Sequence, residues 1–499
     1  MSTKKAIVIG AGVAGLATAI RLAVNGFQVQ VYEQNSYPGG KLSYFERNGY
    51  IFDAGPSLFT QPQNIEELFV LANEPIQDYF QYQKVPIACK YFFENGKVVT
   101  AYGDAQAFDE EVHQQLGEPK GAVQQYLQEA NTAYNNIGNV FLNYSLHKRS
   151  TLRKANIRKA IAATKAAYLL QSMHRYNSKA FKSKEAVQIF NRFATYNGSN
   201  PYKAPAMLTM IPHLEHNEGT FYPKGGMISI TYALYNLAVK KGVQFAFNTP
   251  VQSIITSNRK AVGVVVEGAN HMADVIVSNV DVYFTYKNLI GDAVKAQKIL
   301  KQERSSSAFI FYWGMNKQFP ELQLHNIFFG KQYQQEFASI FQHKKLYNDP
   351  TVYVNITSKL EPGIQAPEGK ENWFVMVNVP ANVGQPWNEL QKQCRKLVID
   401  KLNRILHTDI ESCIEVEEVL TPPMIEARTG SYMGSLYGTS SNSKVAAFVR
   451  HANFTNAING LYFVGGSVHP GGGIPLCLKS AKIASEIIAD DYKKQHLHS

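Results

Sequence analysis

Residues 6–33 read AIVIGAGVAGLATAIRLAVNGFQVQVYE, and their reading decides the fold. Ala6–Ile9 is short and apolar, which predicts a buried strand. Val13–Val24 is rich in Ala and Leu and predicts a buried helix; Val29–Tyr32 predicts a second strand, giving a β-α-β unit. Gly10-x-Gly12-x-x-Gly15 lies between the first strand and the helix. The first glycine permits the tight turn, the second admits a pyrophosphate close to the backbone, and the third lets helix and strand pack closely. The helix N-terminus adds free N–H groups and the positive end of its dipole. Glu33 closes the second strand, where a carboxylate accepts hydrogen bonds from an adenosine ribose. A Gly-rich turn with no ligand is the bland alternative; strand, helix and acid in register favour a dinucleotide.

Two further stretches select FAD over NAD. After Glu33 comes QNSYPGGKL (34–42), so Gly39-Gly40-Lys41 follows the acid closely. FAD proteins of the glutathione-reductase-like class carry this second glycine pair, because their longer cofactor passes beneath it; NAD domains usually do not. Residues 460–488, GLYFVGGSVHPGGGIPLCLKSAKIASEII, predict another strand, a Gly-rich turn and a helix. An interior turn needs no such density of glycine. The helix N-terminus after Gly473 favours the negative charge that grows on a reduced flavin. No second GxGxxG follows a strand, so electrons leave to an external acceptor, quinone or oxygen.

The chain has 499 residues, 45% of them hydrophobic and 12% aromatic, enough for two or three domains. The four cysteines, Cys89, Cys394, Cys413 and Cys477, are far apart, so neither a metal spacing nor a redox Cys-x-x-Cys occurs. No apolar run reaches the ~18–20 residues of a membrane span, and Met1–Lys5 shows no secretory pattern. A cytoplasmic protein is the expectation. The formal net charge of +11 is concentrated: Ser145–Lys184 holds eleven Lys or Arg and no Asp or Glu.

Along the chain, residues ~108–220 predict mostly helix. After FYPKGGM (221–227), Ile228–Lys240 predicts helix, Val243–Phe247 an extended segment, residues 251–268 a hairpin, and Ala273–Asp281 a strand and turn. Segments such as SAFIFYWGM (307–315) and WFVMVNVP (373–380) are β-rich. The opening pattern returns only at the end, so the domains are interleaved.

The run from Ile7 to Thr60, the block FYPKGGM and the ending LYFVGGSVHPGGGIPLCLKSAKIASE together resemble the bacterial carotenoid desaturases of the phytoene desaturase type, over essentially the whole length. Amine oxidases share the first block but not HPGGGIP. Lys41 and GPSLFT are closer to the 1-hydroxycarotenoid 3,4-desaturases; phytoene desaturases commonly have Arg after the glycine pair and Thr after Gly-Pro. The resemblance implies an α/β protein. Residues 1–75, 222–290 and 455–499 would form a Rossmann-like FAD-binding domain, and 76–108 with 291–454 a β-sheet substrate domain with a long hydrophobic tunnel. Residues 109–221 would form a helical membrane-associated cap. It implies FAD contacts from Gly10, Gly12, Val13, Ala14, Gly15, Glu33, Gly39, Gly40, Lys41 and Leu42. Gly55, Pro56 and Ser57 would lie near the ring, Val251 at the adenine, and Gly466, Ser467, Gly473, Ile474 and Pro475 at the far end. Leu476 departs from relatives that have Gly there.

Desaturation removes a hydride from an allylic carbon and a proton from its neighbour, and the cofactor supplies the difficult chemistry. The polyene stabilises the intermediate cation, so no strong base is required, and no catalytic residue is assigned. His469 and Lys224 are expected to pack or bond near the cofactor, with assistance to proton loss as the alternative role, and Asp53 is expected to be a turn carboxylate rather than a base. His213 and His216 are candidates for bonding a terminal substrate hydroxyl. In the basic stretch, Ile157, Ile161 and Tyr168 fall on one helical face, flanked by Arg153, Lys154, Arg158 and Lys165. This predicts an interfacial helix on anionic lipid and peripheral association with the inner membrane; a helix packed on its own domain is the alternative. Nothing suggests a nucleic-acid partner. Three rivals to a 1-hydroxycarotenoid desaturase are a phytoene desaturase, a redox-neutral carotenoid isomerase, and a binding protein like the Rab dissociation inhibitors.

Overall fold

The structure is a computed structural model that describes residues 4–164, 166–443 and 450–496. Its first sheet has five parallel strands in the order Leu461–Phe463, Val275–Ser278, Lys5–Ile9, Gln28–Tyr32, Gln244–Ala246. The stretch that opens the chain therefore sits mid-sheet, with both faces covered. Ala6, Val8, Val29 and Val31 pack under helices Val13–Val24, Ile228–Lys240 and Ile474–His496. Ile7, Ile9 and Tyr32 pack on a small antiparallel sheet through Ile254 and Val264. That sheet is the expected hairpin, Val251–Ser257 with Lys260–Val266, plus a third strand, Ala269–Met272.

A second sheet has seven strands, ordered Ile414–Leu420, Ser307–Met315, Glu371–Val379, Val352–Asn355, His325–Phe328, Ile87–Phe92, Val98–Tyr102. The period-2 alternation assigns its faces. Phe309, Phe311, Trp313, Val375 and Val377 face the helix Trp387–Leu406, meeting Cys394, Val398 and Leu402. Ile310, Tyr312, Phe374, Met376 and Tyr353 alternate with them and line a cavity. Because both faces are covered, SAFIFYWGM is buried along its whole length and carries no polar alternation.

The region predicted as helical is so, from Ala105–Leu116 through Leu214–Glu218. The apolar stripe of its basic stretch does not face outward. Ile157 is 0% exposed, and its helix, Ala155–Ala163, packs on Tyr134–Gly138. Tyr168 is buried with Ala133, Ile137, Ala206 and Met207. The Ile161 side chain and Lys165 lie outside the described residues. The expected single helix is in fact two, Ala155–Ala163 and Ala166–Leu170, and Ile157 and Tyr168 are each buried against their own chain. Arg153, Lys154, Arg158 and Lys159 are exposed. Among the described residues no helix is long and apolar enough to cross a membrane.

Candidate functional site

The glycines of the first loop are fixed by contact. A Cβ on Gly15 would collide with the Gly10 carbonyl, which is the close helix–strand packing expected of the third glycine, and one on Gly12 would lie 2.7 Å from Asn279 Oδ1. Glu33 is buried at the end of its strand. Its Oε2 accepts from the Ala11 N–H at 2.7 Å and its Oε1 from the Asn35 N–H at 2.9 Å. The Asn35 side-chain amide also donates to Oε1, at 2.9 Å, so three of the carboxylate's roughly four lone-pair sites are used and Oε2 retains capacity for a ribose hydroxyl.

Asn279 ties the loop to the end of the chain. Its Oδ1 accepts from the Gly15 N–H at 3.1 Å and its Nδ2 donates to the Val464 carbonyl at 3.2 Å. The residue sits in the predicted strand–turn Ala273–Asp281, but no local pattern marks it as a clasp.

Of the nineteen residues expected at a cofactor, all but Gly15 line one cavity of about 1670 Å³. Gly15 stands behind it, its N–H spent on Asn279. The volume exceeds the roughly 300–1,000 Å³ of an ordinary small-ligand site. Two cations lie along the glycine-rich end, a half-buried Lys41 and a buried Arg450. Lys41 Nζ donates to the carbonyls of Leu436 (2.9 Å) and Ser435 (3.4 Å). Arg450, which sequence reasoning missed, donates to the carbonyls of Thr439 (2.6 Å), Tyr437 (3.2 Å) and Gly466 (3.3 Å). Burial pushes the Lys41 pKa down against the pull of Asp281, and pushes Arg450 down to about 10 with Arg304 nearby. Each cation spends these bonds on main-chain carbonyls, and a buried charge is costly without a counter-charge. A diphosphate supplies that counter-charge, so the donor set fits FAD.

The other end of the cavity is walled by the seven-stranded sheet and by Met207, Leu208, Ile211 and Leu214 of the helical region. Leu476 also lines it. His469 lies in the lining, its Nε2 2.9 Å from the Tyr144 carbonyl, and burial drops its pKa to about 4. Lys224 is exposed and outside the lining, so the expectation that it packs near the cofactor fails. Asp53 accepts from the Met227 N–H through both oxygens, at 3.0 and 3.1 Å, at the start of helix Ile228–Lys240; it is the backbone-bound carboxylate expected. Burial raises its pKa to about 7. His213 and His216 are buried but outside the lining: His213 meets Asn217, and His216 stacks on Phe108. Among the described residues no cluster suits a metal ion.

A glycine-cradled, cation-lined pocket opening into an apolar tunnel defines the class of protein, an FAD-dependent oxidoreductase. Residues 13–489 match the family of flavin containing amine oxidoreductases, and the chain belongs to that family. It is 49% identical over 485 residues to a 1-hydroxycarotenoid 3,4-desaturase of Flavobacterium sp. (strain P99-3), covering 97% of this chain and 99% of the relative. It is 32% identical to a 4,4'-diaponeurosporene oxygenase of Staphylococcus haemolyticus, covering 99% of each. Among solved structures, a putrescine oxidase redesigned in its cofactor binding superposes with a TM-score of 0.64 at 12% identity, covering 99% of each chain. The fold is thus the α/β fold of the flavin amine oxidases.

Proposed function

We propose that this chain is an FAD-dependent desaturase that introduces the 3,4 double bond into a 1-hydroxycarotenoid. One observation carries the reading: the nucleotide loop and the aromatic wall of the second sheet open into the same cavity. The 49% identity to a relative of that name supports it. FAD would be held by the loop Gly10–Gly15, by Glu33 at the ribose, by Lys41 and Arg450 at the diphosphate, and by Gly466–Pro475 beyond. Bound there, FAD supplies an acceptor for the allylic hydride. The chain orients the polyene along Ile310, Tyr312, Phe374 and Met376 and excludes water. The neutral His469 is consistent with proton loss that relies on the stabilised cation.

The domain division predicted from sequence belongs to the same proposal, and the confinement of each large sheet to its expected segments supports it. So does peripheral attachment to the inner membrane, now resting on the exposed Arg153, Lys154, Arg158 and Lys159 rather than on an apolar stripe. The test is incubation of the FAD-loaded protein with carotenoids in anionic liposomes. A product two hydrogens lighter supports desaturation; an unchanged mass means isomerisation, and a preference for phytoene returns the chain to the phytoene desaturases.

A further inference from the structure

The cavity wall beside Gly55–Ser57 carries a hydrogen-bond chain with a defined direction. Ser57 Oγ and the Tyr353 hydroxyl are 2.8 Å apart, and that hydroxyl is 2.8 Å from His325 Nδ1. Tyr353 and His325 stand on adjacent antiparallel strands, in the sheet face that lines the cavity. The Asn355 side-chain amide settles the direction. Its Nδ2 donates to the Leu324 carbonyl at 3.0 Å and also reaches His325 Nδ1 at 3.2 Å. Asn355 Nδ2 can only donate, so Nδ1 shares its lone pair between Asn355 and Tyr353 and the ring proton is assigned to Nε2, which is buried without a hydrogen-bond partner among the described residues. Burial holds the imidazole neutral, with its pKa down to about 4. The Tyr353 hydroxyl then donates to Nδ1, the Ser57 hydroxyl donates to Tyr353, and Ser57 Oγ is left as an acceptor. Ser57 and Tyr353 are both half-buried and both line the cavity.

We infer that this chain, ending at Ser57 Oγ, accepts the hydrogen bond of the substrate's tertiary alcohol and sets the enzyme's preference for a hydroxylated polyene end. The inference rests on the desaturase reading above and on Ser57 lying near the flavin ring. The oxygen on C1 is three single bonds from C3, hence within about 4 Å of the reacting carbon at bond lengths of about 1.5 Å. A group that reads this alcohol must therefore lie beside the ring, not at the far end of the tunnel. Ser57 touches the alcohol; Tyr353 and His325 are positioning residues that fix which lone pairs Ser57 presents. A plain hydrocarbon end covers that acceptor and leaves it unpaired, which is how a hydrogen-bonding site rejects the analogue lacking the group.

The experiment is a direct competition, in one liposome preparation with FAD-loaded protein, between a 1-hydroxycarotenoid and its non-hydroxylated parent. Wild type is compared with Tyr353→Phe, Ser57→Ala and Ser57→Thr. The wild-type preference, as a ratio of kcat/KM, should fall about tenfold or more in Tyr353→Phe and Ser57→Ala. The loss should lie mainly in KM for the hydroxylated substrate, and Ser57→Thr should restore the preference. Wild-type ratios in the flavin-loaded Tyr353→Phe and Ser57→Ala proteins would overturn the inference; if one of them fails to fold, the other decides. Equal wild-type turnover of both substrates would also overturn it while leaving the desaturase reading intact. Turnover of neither would instead refute the desaturase reading.

Discussion

The two ends of the cavity are built by different means. At the nucleotide end, the lining is backbone: glycine turns, strand ends and helix N-termini, with Lys41 and Arg450 set among carbonyls. At the tunnel end, the lining is side chains, alternate residues of a seven-stranded sheet facing residues of the helical region. A backbone site tolerates no added atoms, whereas a side-chain site can be reshaped residue by residue. The first end thus suits a cofactor that does not change, and the second suits substrate divergence within one fold.

That contrast makes the largest prediction an all-or-none one. Gly12→Val places branched carbon where even a Cβ would lie 2.7 Å from Asn279 Oδ1. The purified variant should carry no flavin by absorbance; full flavin content would break the assignment of the loop. The complementary change, Met376→Trp, fills the tunnel wall. It should keep its flavin yet lose turnover about tenfold or more, since overpacking displaces a ligand that must fit the wall. Loss of flavin in this variant would show that the two ends are not independent.

A smaller effect is expected at the seam between them. Asp53 has its pKa raised to about 7 from 3.8 by burial. A raised carboxyl pKa favours the protonated folded state. Its contribution is full below pH ~4 and is lost as pH rises toward 7, by up to about 1.4 kcal/mol per pH unit. Asp53→Asn should flatten the decline of stability with pH across that window, read by denaturant unfolding. Identical slopes would mean that the Met227 N–H keeps Asp53 ionised throughout. The smallest step is on the outer surface. Neutralising Arg153, Lys154, Arg158 and Lys159 one at a time should weaken binding to anionic vesicles by roughly 1 kcal/mol each. Sedimentation unaffected by all four would remove the membrane proposal.

The same contrast governs what the sequence revealed. The β-α-β unit was legible because its strand, turn and helix are contiguous and each glycine has a local reason. Asn279 and Arg450 were not, because each acts on segments that meet only in three dimensions. Tyr353 and His325 read as ordinary members of β-rich runs; only the register between their strands brings them to Ser57. The basic stretch shows a different limit. Ile157 and Tyr168 are both buried, but on two helices rather than on the one face that their periodicity assumed, and periodicity carries no information on whether lipid or protein does the burying.

The Asn279 clasp has a consequence for how the molecule is made. Gly15 and Val464 are held through one side chain, and the strand Leu461–Phe463 is the last to join the parallel sheet. At about 5–20 residues per second, the ribosome adds residue 464 roughly 20 to 90 seconds after residue 15. The nascent N-terminal loop therefore waits, without its clasp, until residue 464 has been made. A chain truncated before residue 461 would lack both that strand and the clasp on the first glycine loop.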